Sequence, residues 1–238
     1  MIIKYCTLNG VDDAVNIHDI VRLSKEYPFA EWGVLVDGVD EGSKRFPSKA
    51  WIEDFAATTP GVYKSLQITC SRMPDVVEGV TNVLSSYNLN GFQRVLFSFD
   101  LLAMPYTLIS RILKWAREAP HLQFITQHNG KNQNVWKLFA EAGLNNHAVL
   151  FDSSNGTGRT PARWPEPISG IPCGYCGGLS PMNIEDNLAA IAGIIGDGVT
   201  WVDMASGLRD DNDEFDIMKA EQVLLFTSRY TLPSTKNL

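Results

Sequence analysis

Short runs rich in Val, Ile, Leu and aromatic residues alternate, from one end of the chain to the other, with stretches whose apolar residues recur every three or four positions. Eight runs read as strands: 2–6 (IIKYC), 32–36 (WGVLV), 64–70 (KSLQITC), 92–99 (FQRVLFSF), 122–126 (LQFIT), 147–151 (HAVLF), a stretch near 168–175, and 199–204 (VTWVDM). Helical stripes lie between them. Val76, Val80, Val83, Leu84 and Tyr87 form one, and Leu108, Ile109, Ile112, Leu113 and Ala116 another. Val135, Leu138, Phe139 and Ala142 make a third, and Ile184, Leu188, Ile191 and Ile195 a fourth, after Pro181, a residue suited to a first helical turn. Residues 153–167 break the pattern. They are rich in Gly, Pro and Thr and read as a loop with at most a short helix.

Eight strand–helix units in 238 residues average about thirty residues each, which predicts an α/β fold with one closed (β/α)8 TIM barrel over residues 1–238. The rival is an open doubly wound sheet, which carries a phosphate-binding glycine cluster after its first strand. Here that place holds CTLNG, and the glycines fall late, at 156–158, 177–178 and 207. Barrels bind phosphate after strands 7 and 8, so the late glycines favour the barrel.

Composition narrows the function classes. The chain is 45% hydrophobic and 20% charged, enough for a sizeable core. Twenty basic against 27 acidic residues leave a net charge of −7, so no overall positive field attracts nucleic acid or anionic lipid. No run approaches the ~20 apolar residues of a membrane span. The start has no signal-peptide layout, and a cytoplasmic location is expected. Four scattered cysteines fit a reducing compartment. Cys173 and Cys176 form a C-x-x-C, but a redox pair of that type requires a helix at the first cysteine, where the seventh strand is needed. A single such pair also leaves a zinc site two ligands short.

In a barrel of this kind, reactive groups stand at the C-terminal ends of strands. Strand 1 ends in Cys6, the loop after strand 2 carries Arg45, strand 6 ends in Asp152, and strand 8 ends in VDMASG at 202–207. A thiol and a carboxyl on different strands can face each other across the mouth as base and acid. The plainer alternatives are a small buried hydrophobe for Cys6, a turn residue for Asp152 and a solvated loop cation for Arg45.

Five stretches occur in one order: KYC, SKRFPS, LFDSS with NGTGRT and Trp164, GGLSPMNI, and VDMASGLRD. Together they resemble the phosphoribosylanthranilate isomerase family of tryptophan biosynthesis, most closely over 150–208. Strands 3–5 show little likeness, and Thr7 stands where that family has a glycine. The resemblance implies a cofactor-free Amadori rearrangement of an N-phosphoribosyl amine by an intramolecular oxidoreductase of the aldose–ketose type. It implies Asp152 as general acid and Cys6 as base. Arg45 would hold the anthranilate carboxylate, and Asp203 would orient substrate hydroxyls or cap local amides. Gly177, Gly178, Ser206 and Gly207 would cradle phosphate, and Gly156, Thr157, Gly158 and Arg159 would form the active-site loop. The expected partner is a phosphorylated sugar, without metal, nucleic acid or membrane, bound by a monomer or homodimer. Two other readings remain: an isomerase or lyase acting on a different phosphoribosyl compound, and a non-catalytic binder of a nucleotide-like ligand.

Overall fold

The computed structural model describes residues 1–37, 42–69, 91–154 and 158–232. The expected helical stripe at 76–87, and Gly156 and Thr157, lie outside the described residues. Eight parallel strands close on themselves in chain order: β1 (Ile2–Asn9), β2 (Ala30–Val36), β3 (Tyr63–Thr69), β4 (Arg94–Ser98), β5 (Gln123–His128), β6 (His147–Asp152), β7 (Cys173–Cys176) and β8 (Val199–Met204). β8 pairs back onto β1, which completes the expected barrel. Six α-helices lie among the described residues: α1 (Ile17–Glu26), α2 (Lys49–Thr58), α3 (Tyr106–Glu118), α4 (Val135–Glu141), α5 (Ile184–Ile195) and α6 (Ile217–Thr227). α5 begins at Ile184, three residues later than Pro181 suggests, because 181–183 form a turn closed by the Asn183 side chain. That side chain accepts from the Ser180 amide at 2.9 Å and donates to the Gly178 carbonyl at 2.8 Å. Described residues between β6 and β7 contain no helix, in line with the Gly- and Pro-rich sequence.

The strands feed two cores. Ile3, Cys6 and Leu8 of β1, Val34 of β2, Val95 and Phe97 of β4 and Tyr175 of β7 join the apolar layer between barrel and helices. Leu96, Ile125, Ala148, Leu150, Cys176 and Trp201 form a smaller cluster inside the barrel, with Tyr5 against it. Burial on both faces explains why strands such as AEWGVLV read as near-continuous apolar runs rather than as alternating ones.

The interior also holds charge. Glu31 and Arg94, both essentially without exposure, form an ion pair at 2.8 Å. Thr7 Oγ1 donates to Glu31 at 2.7 Å, and Arg94 Nε donates to Gln123 at 3.0 Å. The guanidinium lies 4.8 Å from the Tyr5 ring centre and 4.3 Å from that of Trp201. Room for the indole comes from Gly174, where an added Cβ would stand 2.1 Å from the Trp201 ring. Gly174→Ala is therefore expected to lower the unfolding free energy by about 1–3 kcal/mol or more through overpacking, measured by urea denaturation.

Candidate active site

Strand alternation decides which side chains reach the mouth of the barrel. One inward position from each strand end forms a ring there: Asn9, Leu35, Gln67, Ser98, Gln127, Asp152, Cys176 and Asp203. All except Asn9 line a cavity of about 210 Å³, together with Arg45, Ser154, Gly158, Gly177, Gly178, Ser206 and Gly207. Asn9 adjoins it through its hydrogen bond to Asp203. Eight of these lining residues, Arg45, Asp152, Gly158, Gly177, Gly178, Asp203, Ser206 and Gly207, are among those expected from sequence. Arg159 is exposed and lies off the cavity.

Asp152, Cys176 and Asp203 stand side by side on β6, β7 and β8, since Asp152 pairs in register with Cys176 and Cys176 with Asp203. Asp152 accepts from the Ser154 amide at 3.1 Å and the Ser154 hydroxyl at 2.7 Å. The Cys176 thiol is hydrogen-bonded to Asp152, and burial together with the two flanking carboxylates holds its pKa well above the ordinary thiol value. It is a neutral donor between two acids rather than a thiolate. Asp203 accepts from Asn9 Nδ2 at 2.7 Å. Burial pushes its pKa up to about 7 against the lowering effects of the Asn9 hydrogen bond and Arg94, with Glu31 and Asp152 adding to the rise.

Cys6 is not in this site. The strand runs on to Asn9, and the inward residues of β1 are Tyr5, Thr7 and Asn9. Cys6 points outward into the layer under α6, where the Thr227 hydroxyl approaches its sulfur at 3.8 Å, and burial pushes its pKa up to about 12. A thiol so placed neither reaches the cavity nor ionises near neutrality, so the expectation of Cys6 as base is corrected. The same alternation separates Cys173, in the outer layer, from Cys176, inside, which removes the redox-pair reading. Among the described residues, no three His, Cys, Asp or Glu side chains are grouped to hold a metal ion.

Arg45 reaches the cavity with its guanidinium already engaged. Nε lies 2.8 and 3.0 Å from the two carboxylate oxygens of Asp213, and Nη2 donates to the same group. Its backbone takes a left-handed φ of 73°, and its amide donates to Asp12 at 3.4 Å. Asp12 also pairs with the buried Arg209, whose Nη1 donates to the Gly10 carbonyl at 2.7 Å. The loops after β1, β2 and β8 are thus fastened into one wall.

The late glycines bring the loops after β6, β7 and β8 together. A Cβ on Gly178 would stand 2.5 Å from the Thr160 amide nitrogen and 2.7 Å from the Gly158 carbonyl oxygen, and one on Gly207 would stand 2.2 Å from the Leu179 carbonyl oxygen. The space these glycines leave is filled by neighbouring loop backbone. Their immediate role is loop-to-loop packing, a closer requirement than an approach by ligand. Sequence reasoning missed Asn9, Gln67, Ser98, Gln127 and Cys176 as mouth residues. Cys176 pairs in register with both acids, and Leu150, two residues before Asp152, pairs with Gln127.

Among solved structures, the chain is similar to phosphoribosylanthranilate isomerase from Thermus thermophilus, at 16% identity and a TM-score of 0.58, over 94% of this chain and 98% of that one. The likeness is one of fold. A phosphoribosylanthranilate isomerase in complex with reduced 1-(o-carboxyphenylamino)-1-deoxyribulose 5-phosphate gives 16% and 0.54, over 96% of this chain and 100% of that one. The 3-hexulose-6-phosphate synthase of Salmonella typhimurium gives 13% and 0.52, over 95% and 99%. No protein-family model and no curated protein matches the sequence.

The raised pKa of Asp203 has a testable sign. A carboxyl whose folded pKa of about 7 exceeds its unfolded value near 3.8 contributes stability that is full below the lower value and is lost as pH rises through the higher. Asp203→Asn, which keeps an oxygen for Asn9, is therefore expected to be more stable than the parent at pH 8, by a margin on the order of a few kcal/mol. The gap should shrink toward pH 4, as read from urea unfolding across that range.

Proposed function

We propose that this barrel is an acid–base enzyme that carries out an Amadori-type isomerisation of an N-phosphoribosyl amine, with Asp203 and Asp152 as its proton-transfer groups. The observation that carries this reading is the row Asp152–Cys176–Asp203 on three adjacent strand ends, facing a cavity that the glycine-bearing loops after β7 and β8 also line. Asp203, protonated up to about pH 7, is suited to donate to the furanose ring oxygen. The ring C–O bond breaks as the amine nitrogen lone pair forms the C=N bond. Asp152, an acceptor of the Ser154 and Cys176 hydrogen bonds, then takes the C2 proton to leave an enaminol, which tautomerises to the 1-amino-1-deoxyketose. Asp152 keeps its place at the centre of the chemistry, and the acid role inferred for it from the family likeness passes to Asp203. The phosphate is proposed to sit against the backbone at Gly177, Gly178, Ser206 and Gly207.

The exclusion of Cys6 from the cavity favours a second reading, in which the same site isomerises or cleaves a different phosphoribosyl compound. Turnover of phosphoribosyl amines by purified variants tests the proposal. Asp203→Asn and Asp152→Asn are each expected to lose about 10²–10⁴-fold in kcat, the range of a single general acid or base. Cys6→Ala should keep parental turnover. Undiminished activity in Asp203→Asn, or collapse in a folded Cys6→Ala protein, would overturn the assignment.

A further inference from the structure

Opposite the glycine-bearing loops, the ends of β3, β4 and β5 present Gln67, Ser98 and Gln127 to the cavity, with Leu96 and Leu150 beside them. Gln127 is held in orientation: its Nε2 donates to Ser98 Oγ at 3.1 Å, and its Oε1 accepts from Asn129 Nδ2 at 3.4 Å. Gln67 differs, since its amide makes no hydrogen bond to the described residues and stays available to a ligand. The one cation lining the cavity among the described residues is Arg45, and its guanidinium is engaged by Asp213 through Nε and Nη2. The carboxyl groups of Asp152 and Asp203 also face the cavity.

Resting on the proposed reading of the site as one for N-phosphoribosyl amines, we infer that the amine portion of its substrate is a neutral planar group bearing a primary carboxamide, not a carboxylate. An amide side chain offers a donor and an acceptor side by side, so Gln67 pairs reciprocally with a carboxamide: Nε2 donates to its carbonyl and Oε1 accepts from its NH2. A carboxylate offers acceptors only. It would set one anionic oxygen against Gln67 Oε1, in a cavity whose single lining cation is already paired. Leu96 and Leu150 supply an apolar surface for the planar remainder, and the Ser98–Gln127 pair adds polar contacts at its edge.

Calorimetric titration of the full-length protein with non-isomerising ligands tests this. The ligands are reduced 1-(o-carboxyphenylamino)-1-deoxyribulose 5-phosphate, its primary carboxamide counterpart, and 1-deoxyribulose 5-phosphate, which lacks the aryl group. The carboxamide is expected to bind about tenfold or more tighter than the carboxylate. Gln67→Leu, with an unchanged melting temperature, should erase the preference by weakening the carboxamide alone. Equal affinities, or tighter binding of the carboxylate, would overturn the inference while leaving the proposed reaction intact. Binding of the aryl-free phosphate alone would overturn it as well, because the cavity would then accept the sugar phosphate but no aryl amine. Failure of all three ligands to bind would sink the proposed reaction and this inference with it.

Discussion

Everything in this molecule depends on the two-residue alternation of strands in a closed barrel. Each strand gives one set of side chains to the interior and the other to the layer under the helices, and closure leaves no free edge on which the register can slip. A displacement of one residue therefore moves a group from solvent-reached chemistry to dry packing. Thr7 and Cys6 are neighbours in sequence, yet one donates to Glu31 inside the barrel and the other lies against Thr227 of α6. Cys176 and Cys173, three apart, fall on opposite faces for the same reason.

The interior built by this alternation is costly, and the cost bears on the site. Glu31 and Arg94 are held out of water, and removing one partner of such a pair typically destabilises by about 3–5 kcal/mol. Tyr5 and Trp201 pack against the guanidinium, and Gly174 gives Trp201 its room. Both charges act on Asp203 from within the barrel. Arg94 pulls its pKa down and Glu31 pushes it up, against the larger effect of burial. The acidity proposed for catalysis is thus set mainly by burial, with smaller and opposed adjustments from a pair placed there by the inward positions of β2 and β4.

The eight strands were legible because burial on both faces leaves short apolar runs, and β8 coincides with its expected span, Val199–Met204. The end of β1 was not legible in the same way. KYC reads as a strand end because polar residues follow, but Thr7 and Asn9 are polar while facing inward, each donating to a buried carboxylate on another strand. A local pattern does not contain such a partner, 24 residues away for Thr7 and 194 for Asn9. Asp152 and Asp203, the last inward residues of β6 and β8, were found because each is an acid at a strand end within a family-like stretch, LFDSS and VDMASG. Gln67, Ser98 and Gln127 share that position, but their neutral side chains carry no comparable signal, and strands 3–5 bear little likeness to the family that drew attention to the rest.

The two sides of the mouth are specialised by what their polar groups are already doing. On one side, backbone contacts among the loops after β6, β7 and β8 occupy the space their glycines leave free. On the other, Arg45, Asp213, Asp12 and Arg209 neutralise one another while joining three loops. A cation committed to holding a wall is a poor counterion for a ligand, because binding an anion would require breaking or sharing its existing pair. Discrimination on that side then falls to groups with unspent hydrogen-bonding capacity and no net charge. Gln67 is the clearest of these, and the chemistry it selects follows from the side-by-side donor and acceptor of a single amide.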